Sequence, residues 1–161
     1  MENVLTIDVE EWYHVCGVRL PDMRTVEHRV RRCTESLLGL LEACGVTATF
    51  FILGSVADRD PELVTLIASS GHEIASHGWS HRLVPELGKE GFRDEVQRTG
   101  ELLARLSGRW PVGFRAPQWS LGALTPWAFD ILREAGYRYD SSLNPLPFVG
   151  EWRGSLIPYR T

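Results

Sequence analysis

Cysteine is scarce in this sequence and badly spaced for a scaffold. Cys16, Cys33 and Cys44 form an odd set with no CxxC pair, which argues against a disulfide framework or a zinc knuckle. No apolar run approaches the ~20 residues a membrane-spanning helix needs. The opening MENVLTIDVEEWYH has no basic leader and no long apolar stretch, so it does not read as a signal peptide, and a cytoplasmic location is the expectation. Positive charge is not in excess: 17 Lys and Arg stand against 21 Asp and Glu, for a net charge of -4 and a pI of about 5.7. That balance speaks against a nucleic-acid surface and against a basic patch for anionic lipid. Internal repeats, low-complexity tracts and interdomain linkers are also missing. What is present is the composition of one globular domain: 161 residues, 43% hydrophobic and 24% charged, enough apolar material for a core.

The punctuation is regular. Four apolar-periodic segments each stop at a glycine, at Gly45, Gly71, Gly108 and Gly136, and glycine is favoured just past a helix end. Asp60-Pro61 and Thr125-Pro126 each place an N-cap residue before a proline at the first helical position. Val26, Val30, Cys33, Leu37, Leu40, Leu41 and Cys44 recur at three- and four-residue steps and predict a first helix, with Cys33 and Cys44 on its apolar side as small core residues. Pro61–Ser70, a segment marked by Phe92, Val96, Leu102, Leu103 and Leu106, and Pro126–Ala135 predict three more. Between them lie β-prone runs at Val4–Val9, Val46–Leu53, Glu73–Ser76, Val112–Phe114 and Tyr137–Tyr139. Several are apolar on both sides of the alternation, as in strands buried on both faces. Strand and helix alternate, so the fold class is α/β with about five parallel strands. An open doubly wound sheet and a (β/α) barrel both fit. After Asn144 the pattern gives way to Pro-rich irregular chain.

In parallel α/β folds, ligand sites form beyond the C-terminal ends of the strands. The chemically able residues fall there. Asp8, Glu10 and Glu11 end the first strand, His77 and His81 follow the third, Arg115 ends the fourth and Asp140 the fifth. His77 and His81 are four apart, a spacing that on one helical turn points both imidazoles the same way. Two histidines and a carboxylate suit zinc or a neighbouring transition metal, although such a pair can also be two satisfied histidines with no ligand. Asp8 and Glu10, two apart on a strand, send both side chains to one side. One can ligate a metal while the other acts as general base toward water. Glu11 points the other way unless the strand has already ended. Arg115 can orient a catalytic carboxylate through charge-assisted hydrogen bonds, Pro117 stiffens its loop, and Trp119 offers a flat wall for a sugar face. Asp140 is either a site residue or a turn cap. Of the other histidines, His28 reads as a solvated helix residue and His72 as a cap or packing residue, while His14 has no spacing that assigns it.

These motifs resemble the polysaccharide deacetylases that share the NodB homology domain, the fourth carbohydrate esterase family. Thr6-Ile-Asp8-Val-Glu10 resembles the family's first motif, Ser76-His77-Gly-Trp-Ser-His81 the second, Arg115-Ala-Pro-Gln-Trp119 the third and Asp140-Ser-Ser-Leu143 the fourth. The likeness runs from about Val4 to Leu143, and the DVEEWYH opening resembles the subgroup encoded with exosortase-linked exopolysaccharide loci. The resemblance implies a distorted (β/α) barrel of about seven strands. It also implies a divalent metal, commonly zinc, and removal of N-acetyl groups from an amino-sugar polysaccharide or oligosaccharide. By position, Asp8 would be the catalytic base, oriented by Arg115, and His77 and His81 metal ligands, with Glu10 the third. Many members have adjacent aspartates where this chain has a one-residue gap.

One departure stands out. The family supplies a further histidine from a late strand as general acid, and none follows His81 here. With about five strands, the chain is expected to be an N-terminal piece of a longer barrel that binds metal, turns over poorly and tends to associate. The alternatives are a small-amide, ureide-type amidohydrolase of the same superfamily and a non-catalytic carbohydrate-binding domain.

Overall fold

The structure is a computed structural model that describes residues 3–14, 26–146 and 149–150. Cys16 lies outside them, as do the last eleven residues. The chain runs β1 (Thr6–Val9), a short 3₁₀ turn (Trp12–His14), α1 (Val30–Cys44), β2 (Thr49–Ile52), α2 (Gly54–Arg59), α3 (Pro61–Ser69), β3 (Glu73–Ser76) and α4 (Val84–Ser107). Then follow β4 (Gly113–Phe114), a 3₁₀ turn (Pro117–Trp119), α5 (Trp127–Glu134), β5 (Tyr139–Asp140), β6 (Pro145–Leu146) and β7 (Val149–Gly150).

The first five strands form one sheet in the order β1-β2-β3-β4-β5, every pair parallel. Strand order never reverses, so the sheet has no switch point of the doubly wound kind and follows the sequential winding of a (β/α) barrel. β2 is buried along its whole length, with Phe50, Phe51 and Ile52 fully inaccessible, as its uninterrupted apolar run requires. Residues of β1, β2, α2 and α3 pack into one apolar cluster around Phe50, Ile52, Leu53 and Ile67. A second, around Phe92, Phe114, Leu121 and Leu132, joins α4 and α5 to β4.

The four predicted glycine stops all take left-handed φ values: 64° at Gly45, 83° at Gly71, 80° at Gly108 and 91° at Gly136. Asp60 caps α3, its Oδ1 accepting from the Leu63 amide at 3.2 Å. Thr125 does not cap α5 in that way, because its hydroxyl is engaged with Gly122 instead. Helix α4 is longer than the periodicity indicated and is interrupted at Gly88, whose φ of 65° and ψ of -178° break the helix. The six-residue α2 left no apolar period to read. A two-stranded antiparallel β6–β7 ribbon occupies part of the stretch expected to be irregular.

Cys33 and Cys44 are exposed, against expectation. The buried stripe of α1 is Val30, Thr34, Leu38 and Leu41. Cys33, Leu37, Leu40 and Cys44 form the adjacent stripe, one position back, and Leu40 is 59% exposed. A three-four periodicity does not choose between two neighbouring stripes when both are apolar, and here the one carrying a threonine faces inward.

Helix α1 begins at Val30 rather than Val26 because a distant carboxylate caps it. Glu11 is fully buried, and its Oε2 accepts from the backbone amides of Arg29 at 2.9 Å and Val30 at 3.3 Å. Its Oε1 pairs with Arg59 at 3.0 Å and lies 3.3 Å from Nδ1 of His28. His28 is therefore not a helix residue but part of this junction, together with Tyr13, which accepts from Arg59 at 2.8 Å. A buried carboxylate is tolerated only when such donors replace its water. Replacing Glu11 by Ala strips the α1 N-terminus and Arg59 of their shared acceptor. The expected loss of folding stability is about 2–3 kcal/mol, reduced from the full buried-pair cost because Arg59 is partly exposed. Urea denaturation of the two proteins checks it, and an unchanged midpoint would contradict the capping role.

Candidate active site

Parallel pairing fixes which side chains reach the C-terminal rim. In β1, Asp8 and Val9 lie beside Phe51 and Ile52 of β2. Val9 turns into the apolar core, 1% exposed, so Asp8 and Glu10 turn together to the other side. Glu11 faces α1, as described above, and does not share the site with Glu10.

His77 follows the last residue of β3 and is buried. Its amide donates to the Ile52 carbonyl at 3.0 Å, and its Nδ1 lies 2.8 Å from the Arg115 carbonyl. A carbonyl only accepts, so Nδ1 carries the proton and Nε2 presents a lone pair, the tautomer a metal ligand needs. His81 does not reach the site from a helical turn, as its spacing from His77 suggested. Residues 77–83 form a loop that turns at Gly78, φ 74°, and His81 itself has a left-handed φ of 62°. The loop brings the two rings to a centroid separation of 5.6 Å, and Nε2 of His81 lies 2.8 Å from Oε2 of Glu10.

Ligand atoms of Glu10, His77 and His81 all lie within 4.8 Å of one another. Oε2 of Glu10 is buried, and among the described residues its close polar neighbour is Nε2 of His81 at 2.8 Å. It faces an imidazole nitrogen that is electron-rich when neutral, and a cation between them would satisfy both. The donor set, one carboxylate and two imidazoles, fits zinc with a position left open for water or substrate. Electrostatics agree. Burial alone would push the Glu10 carboxyl up, but contact with His81 and the charges of His81, His77 and His14 outweigh it and hold Glu10 below its ordinary range. Burial pulls His77 below the usual imidazole value despite the opposing charge of Asp8. Burial, with the charge of His81, pulls His14 down to about 4. Both rings therefore stay neutral near pH 7. His14 stacks over His81 at 6.0 Å, and its Nδ1 accepts from the Glu11 amide at 3.0 Å.

Beside this triad, Arg115 donates from Nη1 to Oδ1 of Asp8 at 2.7 Å. Its Nη2 donates to the hydroxyls of Thr6 and Ser141 at 3.0 and 2.9 Å, and its guanidinium carbon sits 4.1 Å from the Phe51 ring centroid. Asp140 makes a turn cap: its oxygens accept from the Ser142 amide at 2.9 Å and the Ser142 hydroxyl at 2.6 Å. That hydroxyl in turn accepts from the Ala116 amide at 2.7 Å, so Asp140 braces the loop carrying Arg115. Burial raises its pKa, against the hydrogen bonds from Ser142. Pro117 is buried, whereas Trp119 is 39% exposed. Gln118 and Trp119 both take left-handed φ values, 52° and 51°, and such strain in non-glycine residues concentrates at functional sites.

Sequence reasoning missed several contributors. Glu95 on α4 accepts from the backbone of the His77–His81 loop, but a single acid on a helix surface carries no signal of that. Gly54, the first residue of α2, donates to the Gly78 carbonyl at 2.8 Å. A Cβ there would lie 2.3 Å from the Trp79 ring, so only glycine lets the loop approach. His72, as expected, packs: it is buried against Phe50 and accepts from the Ala48 amide. No helix among the described residues is long and apolar enough to cross a membrane.

Residues 22–139 match the family model for polysaccharide deacetylase, a span that contains His77, His81 and Arg115 and begins after Asp8 and Glu10. The chain is 37% identical over 84 residues to a peptidoglycan-N-acetylglucosamine deacetylase of Bacillus cereus, which covers 52% of this chain and 30% of that protein. It is 31% identical over 107 residues to a peptidoglycan deacetylase of Helicobacter pylori, covering 66% of this chain and 36% of that one. Among solved structures, a Mycobacterium smegmatis protein provisionally described as a polysaccharide deacetylase superposes with a TM-score of 0.73 at 32% identity, over 87% of this chain and 50% of that one. The chain thus spans about a third of the length of these curated relatives. With the sequential parallel sheet and the matched span agreeing, the chain belongs to the polysaccharide deacetylase family.

Proposed function

We propose that this protein is a metal-dependent hydrolase that removes N-acetyl groups from an amino-sugar polysaccharide. The observation that carries the reading is the convergence of Glu10, His77 and His81 within 4.8 Å, beside a carboxylate, Asp8, that is held by Arg115. Glu10, His77 and His81 would hold the metal, zinc by the chemistry of the donor set. When bound, such an ion supplies Lewis-acid polarisation and lowers the pKa of water.

The chain's own groups supply the rest. Asp8 takes the proton of the attacking water. Arg115 occupies Oδ1 of Asp8, which among the described residues leaves Oδ2 to accept from the water and fixes its direction. As the C–O bond forms and the C–N bond breaks, the proton taken by Asp8 passes to the leaving nitrogen, and acetate and a free amine are released. Asp140 works through Ser142 to hold the loop of Arg115 in place. Trp119, exposed beyond buried Pro117, gives a sugar ring a flat face to pack on. The family membership and the names of the matched relatives support an N-acetylated glycan as substrate, of the peptidoglycan kind.

Four measurements bear on this reading. Zinc titration of the wild type against His77→Ala and His81→Ala should show affinity lost by roughly 100-fold or more in each variant; two variants with wild-type affinity would remove the metal site. Asp8→Asn should keep the metal while lowering kcat for acetate release from a chitooligosaccharide by about 10²–10⁴-fold. Ring opening of allantoin by the wild type, without acetate release from the glycan, would shift the assignment to a small-amide hydrolase. The fourth is pH dependence. A ligand whose pKa is lowered stays deprotonated to lower pH, so protons compete with the metal only after the medium becomes more acidic. Burial lowers His77, and the histidine charges, outweighing burial, lower Glu10. Zinc affinity should therefore be flat through neutrality and fall only below about pH 6.5, the ordinary imidazole range. A midpoint above that value would count against the two buried groups as ligands.

A further inference from the structure

We propose that Glu95 is the positioning residue of the metal site, fixing the spacing of His77 and His81 by clamping the loop between them; this rests on the metal-ligand reading above. The loop's own backbone leaves the amides of Trp79 and Ser80 without a sheet partner. Oε2 of Glu95 accepts from both, at 2.9 and 3.1 Å, and Oε1 accepts from the Ser80 hydroxyl at 2.5 Å. Both oxygens of one side chain are therefore spent on two consecutive residues of the five-residue segment that carries both imidazoles.

One helical turn further along α4, Arg98 lies over the Trp79 indole, 3.4 Å from its centroid. From the opposite side, the Gly54 and Ser55 amides donate to the Gly78 and Trp79 carbonyls at 2.8 and 3.2 Å. The loop is thus gripped between the start of α2 and the middle of α4. The grip matters because His81 sits at φ 62°, a conformation a histidine keeps only when its surroundings over-determine it. Release of the Trp79 and Ser80 amides to water lets His81 relax toward ordinary φ values, and its Nε2 then leaves the vicinity of Glu10. Glu95 touches neither the ion nor the substrate in this scheme. It acts through the backbone, in the way that outer hydrogen-bond partners tune metal ligands.

The test is zinc affinity, measured by competition with a chromophoric chelator, beside the melting temperature of the metal-free protein. Glu95→Ala is expected to weaken zinc binding by roughly 10–100-fold. Glu95→Gln, which keeps one acceptor and the shape, should retain more affinity than Glu95→Ala, and Ser80→Ala, which removes only the exposed hydroxyl, should lose less than either. The metal-free melting temperature of Ser80→Ala and Glu95→Gln should stay close to that of the wild type. Wild-type zinc affinity in Glu95→Gln and Ser80→Ala overturns the proposal, even if Glu95→Ala fails to fold. So does a fall in melting temperature with no change in affinity, which marks a structural role only. His77→Ala, titrated in parallel, separates the two ideas. If it loses zinc while the Glu95 and Ser80 variants keep it, the metal site stands and the clamp falls. If it binds zinc as the wild type does, both fall.

Discussion

Arg115 is the residue through which the two halves of the site meet. Its carbonyl accepts the His77 Nδ1 proton, and its guanidinium holds Asp8, 107 positions earlier in the chain. The tautomer of one proposed metal ligand and the orientation of the proposed base are thus governed by one residue, through its backbone carbonyl and its side chain. That residue is placed by the β3–β4 pairing, in which Ser76 lies opposite Phe114 and the Arg115 amide donates to the Ser76 carbonyl at 2.9 Å. Alternation along a strand has a period of two, so a slip of one residue would send the guanidinium to the far face of the sheet. Burial of Phe114 and Ala116, both 0% exposed, makes that slip costly.

Much of this arrangement was legible in the sequence, because it depends on local rules. The glycine stops, the Asp60-Pro61 start and the apolar runs of β1 to β5 follow from backbone sterics and burial, and the strand ends then collect Asp8, Glu10, His77, His81, Arg115 and Asp140 on one rim. What stayed hidden depends on relations the linear pattern does not encode. Glu10 and Glu11 are chemically alike and adjacent, yet one turns to the imidazoles and the other to a helix N-terminus; the position of Arg29 and Val30 decides the second, and neither is near in sequence. On α1, Val30 and Leu41 of the expected face are buried but Cys33, Leu40 and Cys44 are exposed, because two apolar stripes run side by side.

The same contrast explains the histidine pair. A spacing of four suggests one helical turn, yet the two imidazoles come together by another route. The segment is a loop, and its shape comes from a glycine that admits the Trp79 ring, a carboxylate from α4 and two amides from α2. Helix α4 therefore does more than cover the sheet. Its inner side packs Phe92, Val96 and Leu103 into the core, while Glu95 and Arg98 attend to the rim.

Among the described residues, three non-glycine residues hold left-handed backbone angles, His81, Gln118 and Trp119, and all three lie on the loops that follow β3 and β4. Their torsional cost is met once, when the domain folds, by contacts already in place. The two loops consequently keep their shape before any solute arrives, so an encounter there asks for displacement of solvent rather than for rearrangement of backbone.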